Sequence, residues 1–386
     1  MHDPSSNNDL SGWSLPAWTY SDPEFFALEM ERVIRPSWQI VCHVSDVPEW
    51  GDYHTLEYLN ESVVVMRGKD GALSAFTNVC RHRGARILDG PTGSAKSIVC
   101  PYHAWTYNCD GSLRGMPLRE SYAIDTARLG LKRIDLEVFQ GFIFVRLVSG
   151  GPSVAQMLSP YLREIETYKF EDLRAQGRVT LRPRAVNWKN VGDNYSDGLH
   201  IQVAHPGLKR LMGEGYGVDA QAFADKMWGP ILDEPSSNLS ERAYQHFLPR
   251  VPHLPAERGR LWIYFKLWPN IAFDIYPDQI DFMQWLPLSP TETLIREIAY
   301  AIPDGRREMK AARYLNWRIN RQVNVEDTGL ISRVQAGMAS KSFTVGPLSK
   351  TEVALRNFCS RIRMLIPEAR EEHAPVPGWS HQGSRL

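Results

Sequence analysis

Short apolar runs separated by turn-forming residues dominate the first part of the chain. Residues 62–66 and 139–145 are apolar runs of strand length, and an Asp-Gly pair at residues 110–111 is a strong hairpin signal. This pattern predicts a small antiparallel β domain over residues 36–149. A Gly-Gly-Pro sequence at residues 150–152 marks its end.

The remainder of the chain, residues 150–386, mixes strand and helix patterns. Residues 307–339 repeat apolar positions at helical spacing. Consecutive strands with helices elsewhere predict an α+β domain with an antiparallel sheet, and residues 1–35 are expected to form a helical segment that packs on it. The predicted strands are residues 261–267, 271–275, 281–286 and 293–302, and the inward stripe of the helix is Ala312, Leu315, Ile319, Val323, Leu330, Ile331, Val334 and Met338.

Length and charge narrow the class of protein. The chain has 386 residues, enough for about two domains. Lys plus Arg and Asp plus Glu both number 44, so no basic field favours nucleic acid as a partner. No apolar run reaches the roughly 18 residues that span a bilayer, and the amino terminus lacks a signal-peptide pattern. We therefore expect a cytoplasmic protein without a membrane partner.

Two cysteine and histidine pairs form the first candidate metal site. Cys80 and His82 make a CxH pair, Cys100 and His103 make a CxxH pair, and 17 residues separate the two pairs. Each pair directly follows a short apolar run of strand type, so the four side chains are expected on loops between strands. Pairs that mix the two residue types suit a Rieske [2Fe–2S] cluster, with the cysteines on one iron and the histidines on the other. Zinc is the alternative, but zinc sites usually group their cysteines as CxxC.

A second group of candidate ligands begins at Asp193. Asp193, Asp197 and His200 are three or four residues apart, so one helix would carry them on a single stripe. His205 would lie about 140° further round that helix. Pro206 disfavours helical conformation in the residue before it, so His205 is expected at a distorted helix end from which it can turn towards His200. The apolar face of the same helix would comprise Trp188, Val191, Tyr195 and Leu199.

A third ligand for this second site is expected further along the chain. Non-haem Fe(II) oxygenases use two histidines and one carboxylate and keep open positions on the metal. Asp327 lies on the apolar stripe of the predicted helix, where an unpaired charge would cost several kcal/mol. A metal ion would compensate this charge, although an arginine such as Arg321 could also do so. By periodicity alone, Glu326 is an equally good ligand.

Four stretches of sequence resemble one known family. CRHRGA at residues 80–85 and CPYHAWTY at residues 100–107 resemble the Rieske domain of ring-hydroxylating, non-haem iron oxygenases. The DxxHxxxxH pattern at residues 197–205 and NVEDTGLISRVQAGM at residues 324–338 resemble the catalytic domain of the same enzymes. The resemblance extends over residues 38–366. It implies a [2Fe–2S] cluster in the β domain and a mononuclear Fe(II) in a second domain whose antiparallel sheet is covered by helices.

The resemblance also implies roles for individual residues and partners. His200 and His205 match iron ligands, and the resemblance selects Asp327 over Glu326 as the third ligand. Asp197 corresponds to the acid that bridges an iron-ligand histidine and a Rieske histidine of the neighbouring subunit. In this family a head-to-tail ring of subunits passes electrons from cluster to iron, which implies a homotrimer. No GxGxxG motif follows a strand, so a separate ferredoxin or NAD(P)H-dependent reductase is expected to supply the electrons.

These features predict oxygenase chemistry on a small organic substrate with O₂. By overall resemblance the chain is closest to the branch that attacks N-alkyl groups, so we expect oxidative N-dealkylation of an aromatic amide, an aromatic amine or a related xenobiotic. The alternatives are an arene dioxygenase that gives cis-diols, a quaternary-amine monooxygenase of the betaine type, and a non-enzymatic Rieske electron carrier. The substrate lining is expected between His205 and Tyr276, with Asn194 and Phe282.

Overall fold

The computed structural model describes residues 9–381, and the chain forms two compact units. Residues 1–8 of the predicted amino-terminal segment and residues 382–386 of the predicted second domain lie outside the described residues. One unit, called the β unit below, comprises Arg35–Gln156 and Lys169–Ala175. The other, called the mixed unit, lies within Met1–Ile34, Met157–Tyr168 and Gln176–Leu386.

The described residues form the following helices and strands, given in chain order. The helices are α1 Pro23–Glu29, α2 Val154–Met157, α3 Leu162–Glu166, α4 Trp188–Ser196, α5 Ile201–Ala204, α6 Pro206–Met212, α7 Leu239–Phe247, α8 Arg307–Met338 and α9 Val353–Leu365. The strands are β1 Gln39–His43, β2 Asp52–Tyr58, β3 Glu61–Arg67, β4 Leu73–Thr77, β5 Thr92–Ser94, β6 Ile98–Val99, β7 Thr106–Tyr107, β8 Leu113–Gly115, β9 Asp135–Phe139, β10 Phe142–Arg146, β11 Arg174–Ala175, β12 Thr180–Arg184, β13 Gly217–Ala220, β14 Ala224–Pro230, β15 Leu261–Leu267, β16 Ile271–Ile275, β17 Ile280–Ser289 and β18 Glu292–Ala301. Within residues 9–381, no helix combines the length and the apolar character needed to cross a bilayer.

The β unit is built from small antiparallel sheets, as the sequence predicts. Its strand orders are β4-β3-β2-β5, β1-β10-β9 and β6-β7-β8. The predicted turn at Asp110-Gly111 joins β7 to β8, with Gly111 at a φ of 82° that favours glycine. The single strand predicted over residues 139–145 is wrong, because Gln140 and Gly141 both have positive φ and turn the chain between β9 and β10.

The mixed unit contains an antiparallel sheet with the order β12-β18-β17-β16-β15-β14-β13. Strands β15 and β16 have the predicted bounds, and α8 ends one residue before the predicted helix. A buried cluster packs α6 and α8 against this sheet, with Leu211, Trp262 and Ala312 fully buried. The predicted α+β class is therefore confirmed. Val334, expected on the inward stripe of α8, is 46% exposed and does not belong to the core.

The single helix predicted from Asp193 to His200 is wrong. Helix α4 ends before Asp197, whose Oδ1 accepts the backbone N–H of Leu199 at 2.7 Å and starts a new turn of chain. Leu199 is consequently exposed rather than buried. Asp193 Oδ2 instead accepts a hydrogen bond from the hydroxyl of Tyr20 at 2.6 Å.

Candidate metal centres and substrate cavity

Two loops with the same hydrogen-bond pattern carry the first candidate site. In one loop the backbone N–H of Cys80 donates to Ala85 O at 2.8 Å, and that of Gly84 donates back to Cys80 O at 3.0 Å. In the other, Cys100 and Ala104 repeat these two bonds at 2.8 and 3.0 Å, with the carbonyl of Trp105 as the first acceptor. The loops follow β4 and β6, as predicted, and each holds its cysteine at the base of a tight turn.

The side chains of the two loops offer four donors to a metal. Cys80 and Cys100 are each 3% exposed, and the ring centroids of His82 and His103 are 4.6 Å apart. The Nδ1 atoms of both histidines are buried and have no hydrogen-bond partner among the described residues. An unsatisfied buried nitrogen costs free energy unless it has a partner such as a metal. Two thiolates and two free imidazole nitrogens fit a Rieske [2Fe–2S] cluster.

Two aromatic residues that we did not single out support this donor set. The Tyr107 hydroxyl accepts the backbone N–H of Arg81 at 3.1 Å and lies 3.3 Å from Cys80 Sγ, to which it can donate. The Trp105 ring stacks on His82 with centroids 5.0 Å apart. Hydrogen bonds to cluster sulfurs and packing around the ligands tune reduction potentials. The two aromatic residues that closely follow His103 in CPYHAWTY are the sequence signal from which both could have been found.

The second candidate site combines two histidines from the ends of short helices with one carboxylate from the middle of α8. His200 precedes α5, His205 separates α5 from α6, and Asp327 projects from α8. The predicted distortion at His205 is confirmed, since its φ and ψ are −115° and 75° and Pro206 begins α6. The Nε2 atoms of the two histidines are 3.1 Å apart, and Asp327 Oδ1 lies 3.6 Å from His200 Nε2 and 3.0 Å from His205 Nε2. One atom from each side chain therefore converges on a common point.

Carboxylates hold the opposite nitrogens of both histidine rings. Asp197 Oδ2 lies 3.3 Å from His200 Nδ1, and Glu326 Oε2 lies 2.8 Å from His205 Nδ1. Metal-binding histidines commonly donate their second ring N–H to a carboxylate in this way. Glu326 thus lies behind His205, while Asp327 lies beside the converging nitrogens. The donor set fits a centre with two histidines and one carboxylate.

The pKa values of His200 and Asp327 depend on the hydrogen bonds between the acids and the histidines of this centre. Burial alone would lower the pKa of His200, but hydrogen bonds to Asp197 and Asp327 raise it to about 9. Burial would raise the pKa of Asp327, but hydrogen bonds from both histidines hold it far below its usual range. Asn194 Nδ2 also donates to Asp327 Oδ1, at 2.8 Å. A divalent cation would replace the protons that hold these groups together.

A cavity of about 110 Å³ adjoins the three converging side chains. Four tyrosines share its wall with Asp274, whose Oδ1 accepts the Tyr195 hydroxyl at 2.5 Å. We call this space the tyrosine cavity. Its lining residues are Arg184, Val191, Asn194, Tyr195, His200, Ile201, His205, Leu208, Tyr216, Tyr264, Asp274, Tyr276, Met283, Ile295, Glu297, Asn320, Val323, Asn324, Asp327, Thr328 and Ile331.

The structure places only part of the predicted substrate lining on the tyrosine cavity. Asn194 and Tyr276 line the cavity, but Phe282 does not belong to its wall and stacks on Tyr300 with centroids 6.0 Å apart. The alternation of side chains along β17 sends Phe282 to the opposite face from Met283. The sequence reasoning missed Asp274, although a carboxylate within an otherwise apolar strand is a recognisable signal of a functional site.

Comparisons with known proteins agree with this arrangement. The family description "Ring hydroxylating alpha subunit (catalytic domain)" matches residues 170–368, and "Rieske [2Fe-2S] domain" matches residues 37–135. The carnitine monooxygenase oxygenase subunit of Escherichia coli strain K12 is 38% identical over 205 residues, which are 52% of this chain and 54% of that protein. The match thus spans about half the length of that relative.

Two further comparisons cover more of the chain. The glycine betaine monooxygenase oxygenase subunit of Chromohalobacter salexigens is 34% identical over 372 residues, covering 88% of this chain and 82% of that protein. The solved structure of a quaternary ammonium Rieske monooxygenase with a bound inhibitor aligns with a TM-score of 0.78 and 25% identity, over 92% of this chain and 95% of that one. The chain belongs to the family of ring-hydroxylating oxygenase alpha subunits and carries their Rieske [2Fe–2S] domain.

Proposed function

We propose that this protein is the terminal oxygenase of a multicomponent Rieske system and that it hydroxylates an N-methyl group of a quaternary-ammonium compound. The observation that carries the proposal is the tyrosine cavity, in which four aromatic rings and a carboxylate adjoin the candidate iron ligands. A quaternary ammonium ion has no N–H to donate, so aromatic faces and a negative charge are the groups that recognise it.

The arrangement of the four rings supports this assignment. The Tyr264 ring lies 6.5 Å from Tyr195, 6.4 Å from Tyr216 and 6.3 Å from Tyr276, measured between centroids. Tyr264 and Asp274 are also direct cross-strand partners in β15 and β16. The negative charge and the aromatic rings therefore belong to one wall, and this combination can attract a cation and surround its methyl groups.

The same wall argues against the aromatic amide that we expected from the sequence. A neutral amide or arene needs an apolar slot, and it would offer no positive charge to the Asp274 carboxylate. Two of the relatives described above carry the names carnitine monooxygenase and glycine betaine monooxygenase, and both names refer to quaternary-ammonium compounds. These points favour the betaine-type alternative over both aromatic amide N-dealkylation and cis-diol formation.

We assign the following roles within this proposal. His200, His205 and Asp327 hold the mononuclear iron, while Asp197 orients His200 through its Nδ1. When bound, the iron and the Rieske cluster supply O₂ activation and its electrons. The tyrosine wall positions one N-methyl carbon, so that R–N(CH₃)₃⁺, O₂, two electrons and two protons yield R–N(CH₃)₂, formaldehyde, water and one proton. A separate reductase or ferredoxin provides the electrons, and a homotrimer provides the route between subunits.

Product analysis with the purified, iron-loaded protein and a surrogate reductase tests the proposed function. We expect formaldehyde and a tertiary amine from trimethylammonium compounds, in equal amounts. A His205→Ala variant serves as the control and is expected to give neither product. Formaldehyde from N-methyl aromatic amides alone, or a cis-diol from an arene, would contradict the proposal.

Cation binding is expected to weaken as the pH falls below 7. Burial raises the pKa of Asp274 to about 7, so acid removes the negative charge that attracts the cation. If binding requires the ionised form, the Kd of butyltrimethylammonium rises about tenfold from about pH 8 to about pH 6. Calorimetric titration measures this change. The charged or titratable groups around Asp274 are Tyr195, Tyr264, Tyr276, Asp281, Glu297 and Arg182.

An Asp274→Asn variant separates Asp274 from these neighbours. The variant keeps the shape of the side chain and cannot ionise, so its Kd is expected to stay nearly constant over the same pH range. A pH dependence that survives in the variant would assign the effect to another group.

A further inference from the structure

A second cavity adjoins the tyrosine cavity and is rich in arginine. Its volume is about 890 Å³, and we call it the arginine cavity. Arg184 and Glu297 line both cavities and so lie where the two spaces meet. Asn320, Asn324 and Thr328 of α8 also line both. The arginines that line the arginine cavity are Arg178, Arg182, Arg184, Arg313 and Arg321.

Arg184 has no direct ion-pair partner among the described residues, because the nearby Glu297 pairs with Arg182. Arg182 and Arg184 are two residues apart on β12 and so share a face of the sheet. Glu297 forms an ion pair with Arg182. Arg184 Nη1 donates only to the backbone carbonyl of Pro183, at 3.0 Å, and its Nε is buried without a hydrogen-bond partner among the described residues. Burial and the charge of Arg182 lower the pKa of Arg184, and the charge of Glu297 offsets only part of this effect.

Strand register places this charge away from Asp274. Arg184 pairs with Thr293 of β18, whereas the cross-strand row of Asp274 passes through Asp281 and reaches β18 at Ala299. Thr293 and Ala299 are separated by about 20 Å of strand, of which the long side chain of Arg184 can span part. The cavity wall therefore has Asp274 and the aromatic rings towards one end and the guanidinium of Arg184 towards the other, where Glu297 is held in its ion pair with Arg182.

We infer that Arg184 binds the carboxylate of a zwitterionic substrate, and that the enzyme selects quaternary-ammonium carboxylates whose two charges are several bonds apart. This inference rests on the proposed function, because the cationic end must occupy the tyrosine wall. A guanidinium group can present two parallel N–H donors to a carboxylate. The unpartnered Nε supplies one such donor. Arg184 is thus a specificity-determining residue and not a member of the iron centre.

Two probes of equal shape test this assignment on the purified holoprotein. The probes are 4-(trimethylammonio)butanoate and its primary amide, which lacks the negative charge. Calorimetry is expected to show that the wild-type protein binds the carboxylate about 10- to 100-fold more tightly than the amide. Arg184→Gln is expected to reduce this ratio to about 3-fold or less. The ratio for Arg184→Lys should fall between those of the wild-type protein and Arg184→Gln, because an ammonium keeps the charge but not the paired donors.

Arg178→Gln is the matched control. Arg178 is exposed and lines the arginine cavity only, so this variant should keep the wild-type ratio. Thermal unfolding and the visible spectrum of the cluster confirm that each variant is folded. With formaldehyde as the readout, Arg184→Gln should raise KM for the carboxylate and leave kcat at saturation within about threefold.

The outcomes separate the inference from the function on which it rests. If the wild-type protein binds both probes equally, or if Arg184→Gln keeps the preference for the carboxylate, the role of Arg184 is overturned while the quaternary-ammonium function stands. If the wild-type protein binds neither probe and releases no formaldehyde from either, the proposed function fails and the role of Arg184 fails with it.

Discussion

Replacing Asp327 with alanine is expected to remove the mononuclear iron and to lower substrate turnover by about 1,000-fold or more, while the visible spectrum of the Rieske cluster is unchanged. Asp327 Oδ1 lies within 3.6 Å of the Nε2 atoms of both His200 and His205. Without this carboxylate, two neutral imidazoles remain to hold a divalent cation. The cluster ligands are in the β unit, so their iron should be retained.

Iron analysis measures this result directly. The wild-type protein should contain about three irons per chain, and Asp327→Ala about two. Glu326→Gln is the informative comparison, because Glu326 contacts His205 Nδ1 instead of the converging atoms. Loss of such a partner typically weakens metal binding by about 10- to 100-fold, so added Fe(II) should restore activity. If Asp327→Ala kept three irons and Glu326→Gln lost one, Glu326 would be the iron ligand and Asp327 the residue that contacts the ligand histidine.

Asp197→Asn is expected to keep both iron sites and to lower coupled turnover by about 100-fold. Burial would raise the pKa of Asp197, but hydrogen bonds from His200 and the backbone of Leu199 lower it, so the wild-type side chain is ionised. Asparagine has the same shape and can still accept the Leu199 N–H. It lacks the negative charge beside His200 Nδ1, and the family resemblance places this group on the electron route between subunits.

Rapid-mixing spectroscopy of the reduced cluster tests this second prediction. In the presence of O₂ and substrate, reoxidation of the cluster should slow in Asp197→Asn in proportion to turnover. Asp193→Asn is the matched control, since Asp193 lies in α4, which ends just before Asp197, but bonds to Tyr20. It should transfer electrons at the wild-type rate. Wild-type reoxidation in Asp197→Asn would remove Asp197 from the route.

Local patterns in the chain were sufficient to predict much of the fold. Strands β15 and β16 follow from continuous apolar runs that are buried on both faces. Helix α8 follows from apolar residues at helical spacing, of which Met309, Ala312, Ile319 and Ile331 are buried. The helix predicted through Asp197 failed for a local reason. The Asp197 side chain competes for the backbone N–H of Leu199 and ends the helix, and periodicity does not detect such a bond.

The sequence by itself determined which residues could serve as ligands, because Cys80, His82, Cys100 and His103 each lie within a short loop whose spacing limits the geometry. Periodicity left Asp327 and Glu326 equal as candidates for the third ligand, and only the tertiary structure shows which side of His205 each acid contacts. Both lie on α8, and the choice depends on which of them meets His205 on its Nε2 side. The tyrosine cavity and the position of Arg184 likewise depend on strand register. Contacts between residues far apart in sequence are set by how the elements pack, and that information is absent from any single local pattern.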